Sequence, residues 1–341
     1  MKSLLFTLLS LCICTLSSAQ YWQQHVDYTM EVSLETESAR YEGIQKLVYT
    51  NNSPETLHKV FYHLYFNAFQ PDSEMAVRLK NAGDKNRRFK VDLDTLSIAQ
   101  QGFLKVANLT QNGAAVKTQE SGTILEVLLN EPLSPGQSTL LELTFEGQVP
   151  DVIRRAGKNS SEGVAFSMAQ WYPKMAEYDV EGWNTDPYTG REFHGVWGNF
   201  DVKIKLDKDY TVAASGYLQN ADDIGKGYSD RKKAKAKKGL ITWHFIAPEV
   251  HDFTWAADKD YVHDTYPGPN DVTLHFFYKN DPEIIENWKK LQPHTAKMME
   301  YYNTKLGPYP YKQYSVVQGG DGGMEYAMLT LITGGRNYGS L

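Results

Sequence analysis

The segment best suited to chemistry is a glycine-rich run that ends in a carboxylate. Gly319-Gly320-Asp321-Gly322-Gly323 is followed at once by Met324-Glu325-Tyr326. Glycines let another backbone approach closely, so a peptide lying beside this segment could pair with its exposed N–H and C=O groups. Glu325 could then hold the ammonium of that peptide by a charge-assisted hydrogen bond, which contributes on the order of 1.5–3 kcal/mol. The alternative is that Glu325 is an ordinary turn or surface residue.

The signatures of several other chemistries are missing from the sequence. None of the nine histidines forms an H-E-x-x-H motif, in which two imidazoles and a glutamate base share one helical face. There is no Gly-x-Ser-x-Gly elbow, and the glycine run lacks the Gly-Lys-Ser/Thr ending of a phosphate-binding loop. We therefore expect no metal to be bound by this chain, and no serine-hydrolase or nucleotide site.

The first residues have the pattern of a secretory signal peptide. Lys2 precedes an apolar segment at residues 4–16, and Ser17-Ser18-Ala19 suits a cleavage site. Residues 1–19 are predicted to be removed, which gives a secreted or periplasmic protein. Both cysteines, Cys12 and Cys14, lie in this leader, so the mature chain is expected to depend on its core and not on a disulfide. No later apolar run is long enough for a transmembrane segment.

Composition favours a folded, strand-rich protein. The 341 residues suffice for about two domains of roughly 150 residues each. A hydrophobic fraction of 41%, with 22 Tyr and 7 Trp, favours strands and a packed core over disorder. A formal net charge of −6 provides no positive field, so we expect no nucleic-acid partner.

Up to about residue 265 the pattern is that of many short strands. Strands are predicted over residues 28–35, 43–51, 57–66, 123–129, 138–145, 202–206, 211–218 and 240–246. The pair at 123–129 and 138–145 flanks a turn that contains Pro and Gly, which predicts a hairpin. The regular spacing predicts a sandwich or a curved open antiparallel sheet.

After residue 270 the spacing changes to strand, helix, strand. Strands are predicted at 272–278 and 314–318, and Asp281-Pro282-Glu283 is a strong helix start, with a capping Asp and a Pro at the first helical position. Pro293 is expected to kink this helix or divide it into two collinear halves. Tyr266-Pro267-Gly268-Pro269 is predicted to be a linker between domains. The predicted buried face consists of Ile284, Trp288, Leu291, Thr295, Met298 and Tyr302.

A basic run at residues 226–238 lies between two predicted strands. It either forms a long solvated hairpin loop or binds a polyanion such as a surface glycan. The run lacks the interleaved aromatic residues on which nucleic-acid bases stack. Its members are Lys226, Arg231, Lys232, Lys233, Lys235, Lys237 and Lys238.

The glycine–glutamate segment resembles the signature of the aminopeptidase N family of zinc (gluzincin) metallopeptidases. The family signature reads Gly-x-Met-Glu-Asn, and this chain has Gly322-Gly323-Met324-Glu325-Tyr326, with Tyr326 in place of Asn. Three more segments resemble the family in the same order along the chain. They are Phe166-Ser167-Met168-Ala169-Gln170-Trp171-Tyr172-Pro173, His251-Asp252-Phe253-Thr254-Trp255-Ala256 and Leu306-Gly307-Pro308-Tyr309-Pro310-Tyr311.

The resemblance implies a fold and a reaction. The fold would be a mainly β, saddle-like N-terminal domain of curved antiparallel sheets over residues 20–265. The α+β start of a thermolysin-like catalytic domain would follow over residues 270–341. In this family a zinc-bound water attacks the scissile carbonyl of a peptide, and the glutamate of H-E-x-x-H acts as base.

The resemblance also implies roles for individual residues. Glu325 would be the main anchor of the substrate amine and Gln170 the second anchor. Gly322 and Gly323 would pair with the substrate backbone. Met324 and Tyr326 would lie beside the substrate, with contacts that differ from the family because Tyr326 replaces Asn.

Two hypotheses follow for the function. The first is that the chain is the N-terminal part of a secreted zinc aminopeptidase, truncated before its zinc motif and inactive alone, whose full-length form uses Zn2+ and peptides with a free N-terminus. The alternative is a non-catalytic secreted peptide- or glycan-binding β module. The two differ in what the coding sequence beyond Leu341 contains.

Overall fold

The computed structural model describes residues 21–82, 92–151, 153, 155–190, 193–230, 235–320 and 322–340. The predicted signal peptide, with Cys12 and Cys14, lies outside the described residues.

The described part is mainly β, which confirms the sequence prediction. Its strands are β1 (His25–Glu35), β2 (Arg40–Thr50), β3 (Leu57–His63), β4 (Phe103–Gln111), β5 (Ala114–Ala115), β6 (Lys117–Ser121), β7 (Ile124–Leu133), β8 (Ser138–Gln148), β9 (Phe166–Met168), β10 (Lys174–Met175), β11 (Tyr178–Asp179), β12 (Gly182–Trp183), β13 (Trp197–Asp207), β14 (Thr211–Ala214), β15 (Tyr217–Leu218), β16 (Leu240–Val250), β17 (Trp255–Asp258), β18 (Tyr261–Pro267), β19 (Thr273–Lys279), β20 (Gln313–Gln318), β21 (Met324–Tyr326) and β22 (Leu329–Ile332). The helices are α1 (Glu74–Ala82), α2 (Ala221–Ile224) and α3 (Pro282–Leu306), with 3-10 turns at Tyr65–Ala68, Leu93–Thr95, Pro269–Asp271 and Tyr338–Ser340.

The largest sheet has eight strands in the order β15-β16-β13-β1-β2-β8-β4-β5. At its centre β1 pairs antiparallel with β2 and parallel with β13. Inward-facing side chains alternate along β1, where Val26, Tyr28, Met30, Val32 and Leu34 are buried. This face of the sheet forms one wall of the main hydrophobic core.

The predicted hairpin between residues 123–129 and 138–145 is wrong. β7 pairs with β3 and β6 in a four-stranded sheet of order β10-β3-β7-β6, whereas β8 pairs with β2 and β4 in the large sheet. The turn between them therefore carries the chain from one sheet to the other. Alternation defines which side chains face the core, but it does not select the partner strand.

The predicted strand at 211–218 is divided between two sheets. β14 joins a three-stranded sheet of order β14-β17-β9, and β15 is an edge of the large sheet. The break occurs at Gly216, which has φ +88°, and a Cβ there would lie 2.6 Å from the carbonyl oxygen of Ile246. Only glycine satisfies both conditions, so the chain turns at this position.

The last sheet has five strands in the order β18-β19-β20-β22-β21. β19 and β20 are parallel and are joined through α3, while β18 and β21 are antiparallel to their neighbours. Pro267 pairs with Thr273, so Tyr266-Pro267-Gly268-Pro269 leads into a tight hairpin turn and not into a linker. The division into domains at 20–265 and 270–341 stays a prediction.

Helix α3 begins as predicted. The Asp281 side chain accepts a hydrogen bond from the Glu283 N–H at 3.0 Å, and Pro282 is the first helical residue. The helix continues over 25 residues with Pro293 inside, so it is not divided into two halves. The residues buried on it are Ile284, Trp288, Gln292, Thr295 and Met299.

The predicted buried face of α3 is correct in its first half and wrong in its second half. Met298 and Tyr302 are 46% and 49% exposed, and Met299 is buried in their place. Because a helix has 3.6 residues per turn, the buried stripe shifts by one position along a helix of this length.

The five-stranded sheet is packed on both faces. Leu274, Phe276 and Tyr278 of β19 contact α3 in a small core with Trp288. Phe277, between Phe276 and Tyr278, faces the opposite way and joins the main core. The sheet is thus held between its own helix and the strands of the N-terminal part. Within the described residues, no helix is both long and apolar enough to cross a membrane.

Two half-buried histidines lie at the boundary between the last sheet and the loop after α2. His263 Nε2 is 2.8 Å from His275 Nδ1, and His263 Nδ1 is 3.0 Å from the carbonyl oxygen of Lys226. The rings of Tyr228 and Phe277 pack against His263 at centroid distances of 4.4 and 4.1 Å. Burial lowers the pKa of both histidines, and for His275 the neighbouring His263 lowers the pKa further. Both imidazoles are therefore neutral in the folded protein at neutral pH.

The free energy of unfolding is expected to fall as the pH drops below about 6.5, the ordinary histidine pKa. In that range the unfolded chain takes up protons at His263 and His275 that the folded chain does not bind until a lower pH, so acid favours unfolding. The substitution His275→Asn removes one such group and should reduce the slope by up to about 1.4 kcal/mol per pH unit between pH 6 and 5. Urea unfolding followed by tryptophan fluorescence measures it, with pH 8 as reference. Identical slopes for the wild type and the variant would contradict a neutral histidine pair in the folded protein.

Candidate functional site

The glycine–glutamate segment forms the outer edge of the five-stranded sheet. β21 pairs with β22 through Met324↔Leu331, Glu325↔Thr330 and Tyr326↔Leu329, and no other described strand pairs with its outer side. Gly322 has φ +77°, which directs the chain into this strand. A free strand edge presents backbone donors and acceptors that can pair with an added peptide. The arrangement is therefore capable of binding an extended chain.

Side chains alternate along this short strand. Glu325 is exposed to solvent, while Tyr326 is 6% exposed and contributes to the main core. The backbone carbonyl of Gly323 lies 3.5 Å from Arg155 Nε, which belongs to the N-terminal part of the chain. The carboxylate of this segment therefore lies at the surface. The buried tyrosine and the contact with Arg155 hold the segment against the rest of the protein.

Gln170 lies directly behind the edge strand. Its side chain is in contact with the Tyr326 hydroxyl, with 3.3 Å from Nε2 and 3.4 Å from Oε1. Gln170 is only 4% exposed and adopts φ +52°, a left-handed conformation that a non-glycine residue adopts at a cost of roughly 1–2 kcal/mol. Strain of this kind is common at functional sites. The structure thus brings Gln170 and Tyr326 together, whereas Glu325 points away from them into solvent.

A buried ion pair that the sequence did not reveal supports Gln170. Asp252 Oδ2 accepts hydrogen bonds from Gln170 Nε2 at 3.1 Å and from Lys174 Nζ at 2.9 Å, and Oδ1 accepts one from the Tyr172 hydroxyl at 2.9 Å. The side chains of Lys174 and Asp252 are 3% and 2% exposed. Burial alone would raise the pKa of Asp252, but the Lys174 ammonium and the hydrogen bonds from Lys174 and Tyr172 lower it below its ordinary value. Asp252 is therefore ionised and engaged on both oxygens.

A weak signal for this pair exists in the sequence. Lys174 follows Trp171-Tyr172-Pro173, and Asp252 precedes Phe253-Thr254-Trp255, so each charge stands next to large aromatic residues. Charges in such surroundings are buried only when they are paired. What local sequence could not show is that these two charges pair with each other.

No metal site is formed by the part of the chain that the structure describes. No group of three or more His, Cys, Asp or Glu side chains there could hold an ion. The described residues thus do not fit a catalytic zinc, and we derive no step of a reaction through one.

The basic loop at residues 226–238 is described only in part, because residues 231–234 lie outside the described residues. Lys226 Nζ donates to the Asp209 carbonyl at 3.1 Å, and burial lowers the pKa of Lys226. Lys235 forms an ion pair with Asp223. Both lysines already contact other groups of the protein, so their arrangement does not favour a polyanion site.

Comparison with known proteins gives a fold relationship. No protein-family model matches the sequence, and no curated protein sequence matches it significantly. The chain is similar to the crystal structure of an M1 zinc metallopeptidase from Deinococcus radiodurans, with a TM-score of 0.55 and 18% identity over 92% of this chain and 61% of that one. A mutant of the Deinococcus radiodurans M1 enzyme with a bound Tyr-Ser-Ala substrate gives a TM-score of 0.57 and 18% identity over 92% and 61%. A two-domain M1 zinc metallopeptidase mutant bound to L-tryptophan gives 0.55 and 16% over 92% and 62%.

These similarities establish a shared fold. The chain spans about 60% of the length of the solved structures it matches. At identities below 20% the likeness carries no site residue with it, so the roles of Glu325, Gln170, Gly322, Gly323, Met324 and Tyr326 stay predictions.

The contact between Tyr326 and Gln170 can be tested through stability alone. Tyr326→Phe removes a hydroxyl that faces a buried amide, and an amide left without that partner costs about 1–3 kcal/mol. Urea unfolding should therefore show a lower free energy of unfolding for this variant. The neighbouring exposed substitution Glu325→Gln is the matched control and should change it by less than about 0.5 kcal/mol. Equal effects of the two substitutions would contradict the buried contact.

Proposed function

We propose that this chain is the N-terminal part of a secreted zinc-dependent aminopeptidase, which removes N-terminal residues from peptides. The similarity to M1 zinc metallopeptidases over 92% of the chain supports a related peptidase. In this proposal residues 20–265 form the saddle-like β domain and residues 270–341 form the first part of a thermolysin-like catalytic domain. The zinc ligands would come from residues beyond Leu341, and the chain alone would be inactive.

The observation that carries this proposal is the free edge of β21 with an exposed carboxylate on it. An extended peptide can pair with an unpaired strand edge through its backbone. Glu325 is exposed at this edge and can reach an ammonium on such a peptide. Because an acetylated or internal amide carries no charge, this carboxylate would select peptides with a free N-terminus.

The roles proposed for single residues are those that the family resemblance implies. Glu325 is the main anchor of the substrate amine, and Gly322 and Gly323 lie beside the substrate backbone. Met324 and Tyr326 complete the edge. Gln170 is the second anchor. Its carbonyl oxygen accepts a hydrogen bond from the Tyr326 hydroxyl, so it has to give up this contact before it can accept one from a peptide ammonium.

The alternative is a non-catalytic secreted module that binds peptides or glycans. Like the first proposal, it uses the free edge of β21 to bind a peptide, but it needs no zinc. The engaged lysines of the basic loop give no particular support to its glycan form. Peptide binding by the chain alone is compatible with both proposals, so turnover has to separate them.

Binding of a free peptide amine should depend on Glu325. In a calorimetric or NMR titration of the 341-residue chain, Tyr-Ser-Ala should bind more tightly than N-acetyl-Tyr-Ser-Ala. Glu325→Gln should weaken binding of the free tripeptide by about tenfold or more, the equivalent of one charge-assisted hydrogen bond. Glu300→Gln, which alters an exposed carboxylate on α3, is the matched control. Equal affinity of both peptides, or no effect of Glu325→Gln, would remove Glu325 from the site.

The coding sequence beyond Leu341 separates the two proposals. The aminopeptidase proposal expects an H-E-x-x-H motif and a later glutamate ligand. A protein that includes them should release the first residue of Tyr-Ser-Ala and lose that activity with a chelator. A stop codon directly after Leu341 would favour the binding module.

A further inference from the structure

The Lys174–Asp252 ion pair lies beneath the edge strand but has no place in the proposed binding scheme. We propose that Asp252, held by Lys174, is a positioning residue that fixes the Gln170 amide and presents its carbonyl oxygen to the Tyr326 side of the peptide edge. This inference rests on the proposed function, because it names the group that orients the second anchor of the peptide amine.

The four partners of Asp252 are all hydrogen-bond donors. Oδ2 faces Gln170 Nε2 at 3.1 Å and Lys174 Nζ at 2.9 Å. Oδ1 faces the Tyr172 hydroxyl at 2.9 Å and the Phe253 N–H at 2.8 Å. Such a set requires an ionised carboxylate, and it prevents the carboxylate from rotating because each oxygen is held by two donors.

This arrangement decides which way the Gln170 amide points. A carboxylate cannot donate a hydrogen bond, so the atom of Gln170 that faces Asp252 must be the nitrogen. The carbonyl oxygen is then the other atom of the amide, 3.4 Å from the Tyr326 hydroxyl, and Nε2 lies 3.3 Å from the same hydroxyl. A carbonyl oxygen can accept a hydrogen bond from an ammonium, whereas an amide nitrogen would repel it. Asp252 therefore sets the orientation that a second anchor needs.

Lys174 keeps Asp252 in place and is itself enclosed. Both side chains are almost completely buried. Gly195 closes over the lysine, since a Cβ at that position would lie 2.6 Å from Lys174 Cε and 2.7 Å from Nζ. The backbone at Gly195 therefore lies close against the end of the Lys174 side chain, and any larger residue there would clash with it.

The ion pair acts by orientation and not by attracting the peptide. Lys174 neutralises Asp252 at 2.9 Å, so the pair has no net charge to offer a ligand. The negative charge that meets the peptide ammonium at the edge is that of Glu325. Removing the ion pair should therefore make the Gln170 amide less well oriented while leaving Glu325 unchanged.

A pair of double variants separates positioning from general stability. Lys174→Met with Asp252→Asn removes the charges together, which avoids leaving one of them buried and unpaired. Lys279→Met with Asp258→Asn is the matched control, because that ion pair is also largely buried, with a distance of 2.7 Å, and belongs to no proposed anchor. Titration of the 341-residue chain with Tyr-Ser-Ala should show three- to tenfold weaker binding for the first double variant. The control should bind within twofold of the wild type.

A spectroscopic measurement on the wild-type chain tests the orientation without any destabilising change. The Gln170 Nε2 hydrogens, assigned in a ¹⁵N correlation spectrum by their loss in Gln170→Glu, should exchange with solvent more slowly than those of exposed glutamines, and this protection should be lost in the Lys174/Asp252 double variant. Fast exchange like that of exposed glutamines would overturn the proposal, as would unchanged affinity in the Lys174/Asp252 double variant. If the wild type instead fails to distinguish Tyr-Ser-Ala from its acetylated form, the proposed function is wrong, while slow exchange of the amide hydrogens still reports on their hydrogen bond to Asp252.

Discussion

The exposure of Glu325 depends on the burial of the side chain next to it. β21 has only three residues, and successive side chains of a strand point to opposite faces. Tyr326 is buried in the main core against Gln170, so Glu325 must face outward. A slip by one residue would put the carboxylate into the core and the tyrosine into water, which is unfavourable on both counts. The tyrosine thus fixes the register of the whole candidate site.

That tyrosine needs a wall to pack against, and the wall comes from distant parts of the chain. Gln170 precedes the buried Lys174 of β10, and Asp252 lies between β16 and β17, while Tyr326 belongs to the last sheet. The partners thus come from separate parts of the chain, and α3 packs against the other face of the five-stranded sheet. The position of the β21 edge therefore depends on the packing of the two parts and not on the last sheet alone. The described residues contain no cysteine, so packing of this kind holds the parts together.

Sequence patterns predicted the elements of this fold better than their partners. Alternation located β1, β2, β8 and β16, and the Asp281-Pro282 pair located the start of α3, because these signals are local. The hairpin between β7 and β8 was wrong because two strands joined by a turn can belong to two sheets that share one core. Tyr266-Pro267-Gly268-Pro269 marks a change of direction, and a change of direction occurs equally in a linker and in a tight hairpin. These outcomes depend on contacts between residues that are far apart in sequence.

The candidate site shows the same limit. The glycines and Glu325 could be identified because a segment of five residues is enough to indicate their chemistry. Gln170 was identified only through resemblance to a family. Lys174 and Asp252 could not be paired from sequence, since a buried charge becomes tolerable only when the fold brings its opposite within hydrogen-bond distance. Once paired, the two charges neutralise each other. The remaining effect of the pair is to orient the Gln170 amide beside it. In the proposed function, the exposed carboxylate would recognise the charge of a peptide ammonium and the oriented amide would recognise its hydrogen-bond donors.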